Sequence, residues 1–98
     1  MKLISVLPAR DGVHKYAALF ESEGSPSRHH TTKFGAHGMD DYTITHDKDQ
    51  RERYRTRHRK DLQTGEPDRA GFLSYYILWG NSTSMKANIA SYRRRFGL

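Results

Sequence analysis

The chain has 98 residues, 35% of them apolar, which suits one small domain with a modest core. No apolar run is longer than Tyr75 to Trp79, far short of the roughly 20 residues a bilayer span needs, and the lack of cysteine excludes disulfides and thiolate metal sites. The formal charge of +6 is uneven: residues 1–46 carry five basic and five acidic groups, residues 47–68 seven and six, and residues 69–98 five basic groups and no acid.

The first elements read as strands. Lys2 to Leu7 and Lys15 to Glu21 are β-like runs, and Asp11-Gly12 between them is a hairpin signal because both residues tolerate positive φ. The N-terminus has one lysine and a short apolar run cut off by Pro8, Arg10 and Asp11, which reads as a strand and not as a signal peptide. Tyr16, Ala18 and Phe20 share a face of the second run. Glu23-Gly24-Ser25-Pro26-Ser27 is a loop by composition. Arg28 to Phe34 is a third strand with His30, Thr32 and Phe34 on one side, so residues 1–34 form a β-meander.

Residues 40–98 read as helical. Gly35-Ala36-His37-Gly38 breaks the sheet, and Asp40 or Asp41 caps a short turn through Tyr42 and Ile44. Thr45 or Asp47 caps the next helix, in which arginine occupies every second position from Arg51 to Arg59. A helix repeats its faces at i, i+3 and i+4, so alternate arginines point all round it. Tyr54, His58 and Leu62 form its inward stripe, and Gln63 to Pro67 ends it. Asp68 is expected to cap a helix whose Phe72 to Trp79 segment is apolar nearly all round, and Gly80 stops it. Ser82 or Ser84 caps the last helix. Met85, Ile89, Tyr92 and Phe96 make its apolar stripe, Arg93, Arg94 and Arg95 sit in its last turn, and Gly97 terminates it. The expected architecture is α+β: one domain, 1–98, with a small antiparallel three-stranded sheet followed by three helices packing on it.

Few constellations promise chemistry. His29 and His30 face opposite ways on a strand and cannot chelate one ion, and the six histidines match no zinc spacing. His46 and His58, with Asp40, Asp41, Asp47 and Asp49, could imitate a metal-dependent nuclease site, but capping explains the carboxylates better. Lys33, Gly35 and Gly38 resemble a phosphate cradle. They lack the Lys-Ser/Thr ending of a P-loop, so a sharp strand-to-helix turn is the favoured role and a phosphate contact the second.

Lys33-Phe34-Gly35-Ala36, Gly38 with Asp41-Tyr42-Thr43, His46-Asp47-Lys48, Arg51, Arg53-Tyr54, Arg57-His58, Ala70-Gly71-Phe72, Leu78-Trp79 and Arg95-Phe96 form a pattern. Over roughly residues 30–97 it resembles a small uncharacterised family from nucleocytoplasmic large DNA viruses and algal relatives. The resemblance implies a viral gene product, carried in the virion or made in the infected host cell, and transfers no catalytic residue.

The functional expectation is a non-enzymatic nucleic-acid-binding protein. Arg51, Arg53, Arg55, Arg57, Arg59, Lys60, Arg93, Arg94 and Arg95 would neutralise phosphates, on DNA ahead of RNA, without reading sequence. The alternative is a minor structural protein that binds acidic protein surfaces such as a capsid protein, anchored by Tyr75, Tyr76 and Trp79. No cofactor, metal or membrane is expected.

Overall fold

The computed structural model describes residues 1–22 and 28–98, and the loop expected at Glu23 to Ser27 lies outside the described residues. Three antiparallel strands come first: β1 (Lys2–Pro8), β2 (His14–Glu21) and β3 (His29–Ala36), in the spatial order β1-β2-β3. The β1–β2 connection is set by Asp11. Its Oδ1 accepts from the Val13 and His14 amides, both at 2.8 Å, and Gly12 next to it has φ +74°. Those bonds from His14 and Val13 hold the Asp11 carboxyl far below the usual carboxylate range.

Period-2 alternation decides which strand residues reach the core. Leu3 lies opposite Phe20, and Tyr16 lies opposite Phe34. Leu3, Ala18, Phe20 and Phe34 are buried, whereas Leu7, which pairs with Ala17 on the other face, is 60% exposed. A register shift between Leu3 and Ser5 bulges β1.

Helices cover the buried face. Asp41 caps α1 (Tyr42–Thr45), and Asp47 caps α2 (Lys48–His58) by accepting from the Asp49 and Gln50 amides. The arginine-rich segment does not continue as one α-helix to Leu62. It tightens into a 3₁₀ turn at Arg59–Thr64 and stops at Gly65, whose φ is +67°.

The aromatic segment departs further from expectation. It starts as α3 (Ala70–Leu73) and widens into a π-helical turn at Ser74–Leu78, closed by the Trp79 amide donating to the Ser74 carbonyl. Asp68 does not cap it. The residue at that position is Arg69, which makes no capping bond. Asp68 instead faces His30 Nε2 at 3.0 Å, and its carbonyl accepts from the Thr32 hydroxyl, so it ties the helix start to β3. The wider turn brings Ile77, Leu78 and Trp79 into the core in succession.

Ser84 caps α4 (Met85–Phe96), and Gly97 ends it with φ +65°. Tyr92 is buried with its hydroxyl on the Pro67 carbonyl. Asn88, also buried, locks α4 to the end of the π turn. Its Nδ2 donates to the Ile77 and Ser82 carbonyls at 2.8 Å each, and its Oδ1 accepts from the Ser82 amide at 3.1 Å. Gly80 passes so close that a Cβ there would overlap the Tyr76 carbonyl and the Asn88 amide group.

Asn88→Ala removes all three bonds and leaves buried main-chain groups without partners, so equilibrium urea unfolding should show a loss of about 2–3 kcal/mol. Asn88→Asp should cost more, because a carboxylate cannot donate to the two carbonyls and repels them.

Candidate nucleic-acid interface

The 3.6-residue period sorts the alternating arginines of α2 into two sets. Arg51 and Arg55, one turn apart, lie on the side of Tyr54 and His58 and are 14% and 17% exposed in their side chains. Arg53 and Arg57 point outward, and Arg59 and Lys60 stay exposed on the following 3₁₀ turn.

The inner pair has structural work. Helix ends leave carbonyls without intrahelical partners, and cations are favoured there. Arg55 Nε donates to the Trp79 carbonyl at 2.8 Å and its Nη2 to Asn81 Oδ1 at 3.0 Å. Arg51 Nη1 lies 3.4 Å from the Asn81 carbonyl, while its guanidinium sits 4.6 Å from the centre of the Tyr42 ring. Desolvation, with the charge of Arg51 beside it, lowers the pKa of Arg55. Glu52 is the nearby carboxylate, 3.1 Å from Arg51 Nε and 3.8 Å from Arg55 Nη1.

In α4, Arg93 is committed in the same way. Its Nε and Nη2 donate to the Leu3 and Ile4 carbonyls at 3.1 and 3.2 Å, bracing the bulged strand β1. Arg94 is exposed, and Arg95 is exposed with its guanidinium 4.9 Å from the centre of the Tyr76 ring. Among the described residues, Arg53, Arg59, Lys60 and Arg94 make no side-chain hydrogen bond or ion pair.

The two basic segments meet across the π turn. Arg55 of α2 and Arg95 of α4 line one recess of about 200 Å³, together with Tyr75, Tyr76, Asn81 and Ser91. Among the described residues no carboxylate lines it. Tyr75 and Tyr76 are half-buried, with ring centres 5.0 Å apart, and Arg55 lies 5.6 Å from the centre of the Tyr75 ring. Trp79, expected at a partner surface with them, is only 7% exposed and packs in the core.

The glycine segment is a turn. Gly35 has φ +76° and sits under Leu78, and the His37 and Met39 amides close on the Val13 and Ala36 carbonyls at 2.9 and 3.1 Å. Lys33 reaches Asp11 at 3.3 Å, and the cleft that Gly35 and Gly38 both line does not include it. Asp41 does more than cap α1. It is 1% exposed and also takes Lys15 Nζ at 2.5 Å, a contact 26 residues apart that no local pattern signals. Among the described residues no group of three or more His, Asp or Glu side chains is placed to hold a metal ion.

A second cleft, about 760 Å³, opens between the β2 and β3 ends and α2. Trp79, Tyr54 and His58 stack along it, with ring centres 4.4 and 4.1 Å apart. Burial pushes the Tyr54 phenol up to about 12, against a hydrogen bond with Ser74 that acts the other way. A phenol that ionises later in the folded state favours folding below its ordinary pKa of about 10. That contribution is lost as pH rises through about 12, because the unfolded chain gives up its proton first. Thermal melts followed by circular dichroism should therefore show stability falling from pH 10 to 12, and less steeply in Tyr54→Phe.

No curated protein and no solved structure matches the chain. One protein family does, over residues 4–58, which take in the sheet from Ile4 onward and all of α2. That match takes in more than half of the chain, and the protein belongs to the family described as "Family of unknown function (DUF5754)".

Proposed function

We propose that the protein is a non-enzymatic binder of nucleic acid that engages phosphates without reading sequence. The observation that carries this is what remains after the structural arginines are subtracted. Arg53, Arg57, Arg59, Lys60, Arg94 and Arg95 stay exposed. Arg95 of α4 shares with Arg55 of α2 a recess that no carboxylate lines among the described residues, and Arg57 lines the second cleft. Arg51 and Arg93, counted among the binding residues from sequence, belong to the scaffold in this reading, and Arg55 serves both roles. An excess of fixed positive charge steers polyanions and releases their counterions on binding. DNA is the first expectation. The resemblance to the large-DNA-virus family makes a virion component or a product of the infected cell the natural setting.

A second reading, a small structural component that docks on an acidic protein surface such as a capsid protein, draws on the exposed apolar side chains Ile4, Leu7 and Val13. Binding to nucleic acid in a salt series separates the two.

If six cations contact phosphates, log K should fall against log salt with a slope of about −5 on duplex DNA. A shallow slope, or no binding at low salt, would count decisively against the proposal. Arg53→Gln and Arg94→Gln should each weaken binding to all sequences equally and reduce the slope by about 1. Arg51→Gln and Arg93→Gln should lower the thermal midpoint and leave the slope unchanged.

A further inference from the structure

Phosphate contacts leave the 760 Å³ cleft unused, and its wall is built from rings. Trp79, Tyr54 and His58 form a ladder with interplanar angles of 10° and 19°. Its inner end is closed, since Trp79 is 7% exposed. Its outer end is open, since the His58 side chain is 39% exposed and lines the cleft. The His58 ring is also held in place: Asp61 Oδ2 lies 3.0 Å from its Nδ1. A ring fixed before binding loses little freedom when another ring lies on it.

What surrounds His58 narrows the occupant. Arg57 lines the same cleft, and Arg59 and Lys60 follow on the next turn, all exposed. Gln50 and Asp40 line the same cleft and place an amide and a carboxylate in it. The cleft volume falls within the roughly 300–1,000 Å³ of small-ligand sites. A flat, hydrogen-bonding ring with negative charge on either side is the chemistry of a nucleobase in a strand. Bases in a duplex are already stacked on both faces and cannot reach the ladder.

We infer that the cleft seats one unpaired nucleobase on His58, as the next member of the Trp79–Tyr54–His58 stack, so that the protein prefers single strands. This rests on the nucleic-acid reading above and goes beyond it, because phosphate contacts alone treat a strand without bases as equivalent. The aromatic platform supplies a preference for bases without a preference among them.

The test compares a fluorescently labelled oligothymidylate with an abasic strand of the same length, by anisotropy at low salt with the full chain. The oligothymidylate should bind the unaltered protein on the order of tenfold more tightly. Emission from Trp79, the sole tryptophan, should change with the oligothymidylate and not with the abasic strand. His58→Ala should abolish the preference while leaving abasic binding unchanged, and His58→Phe should keep it. Equal binding of both strands to the unaltered protein overturns the base site and leaves the phosphate reading standing. Binding of neither overturns both. A preference that survives His58→Ala, or is lost in His58→Phe, removes stacking on this ring as its cause.

Discussion

The carbonyl groups at the end of the π turn are the point on which the helical half is hung. Ile77 is held by Asn88 of α4, Trp79 by Arg55 of α2, and the Asn81 carbonyl lies beside Arg51 of α2. A helix end must give its last carbonyls partners, and burial makes the requirement strict. Here the partners come from two other helices, so satisfying the carbonyls also fixes where those helices lie. Gly80 makes the approach of α4 possible, since a side chain there would collide with the Tyr76 carbonyl and Asn88. No large apolar contact would impose the same geometry, because hydrophobic packing is not directional.

That junction divides the positive charge. Arginines turned toward the π turn become part of the scaffold. Arg53 and Arg57, each two positions on along α2, are left outside and make no ion pair among the described residues. Arg55 belongs to both populations: it is bound to Trp79 and Asn81, is partly desolvated, and still faces the recess that it shares with Arg95. Guanidinium suits this double role because its five donors lie in one rigid plane, and several remain available after the carbonyl is satisfied. The C-terminal helix repeats the division, with Arg93 bracing β1 while Arg94 is exposed.

The π turn also divides the aromatic side chains. On one side Tyr76 packs with Phe72, Tyr92 and Phe96 against α4, with Tyr75 at its edge. On the other, Trp79 is presented to Tyr54 of α2. One apolar run therefore serves two neighbouring helices and borders two different clefts, one polar and cationic, the other walled by stacked rings. An ordinary α-helix spaces residues by 100°. Adding one residue to a turn alters that spacing and lets consecutive side chains be buried against separate partners.

Much of the fold is legible in the residues themselves. The alternation of Tyr16, Ala18 and Phe20, the turn at Asp11-Gly12, the capping pairs from which Asp41, Asp47 and Ser84 are the ones used, and the stripe from Met85 to Phe96 are local signals, and local signals survive in any packing. The α+β order follows from them. The surplus of arginine is likewise a property of composition. What the chain order could not convey is which arginine is available. The helical period alone puts Arg51 and Arg53 on different faces of α2, but what Arg51 meets there, the Gly80 and Asn81 carbonyls 29 and 30 residues away, is set by the fold. The same holds for Asp68, a plausible cap that pairs with His30 of β3, and for Trp79, a surface anchor by composition that the wide turn buries. Propensity and periodicity act over a few residues. The partner of a buried polar group is chosen by the whole fold, because leaving it unsatisfied costs more than any local preference gains.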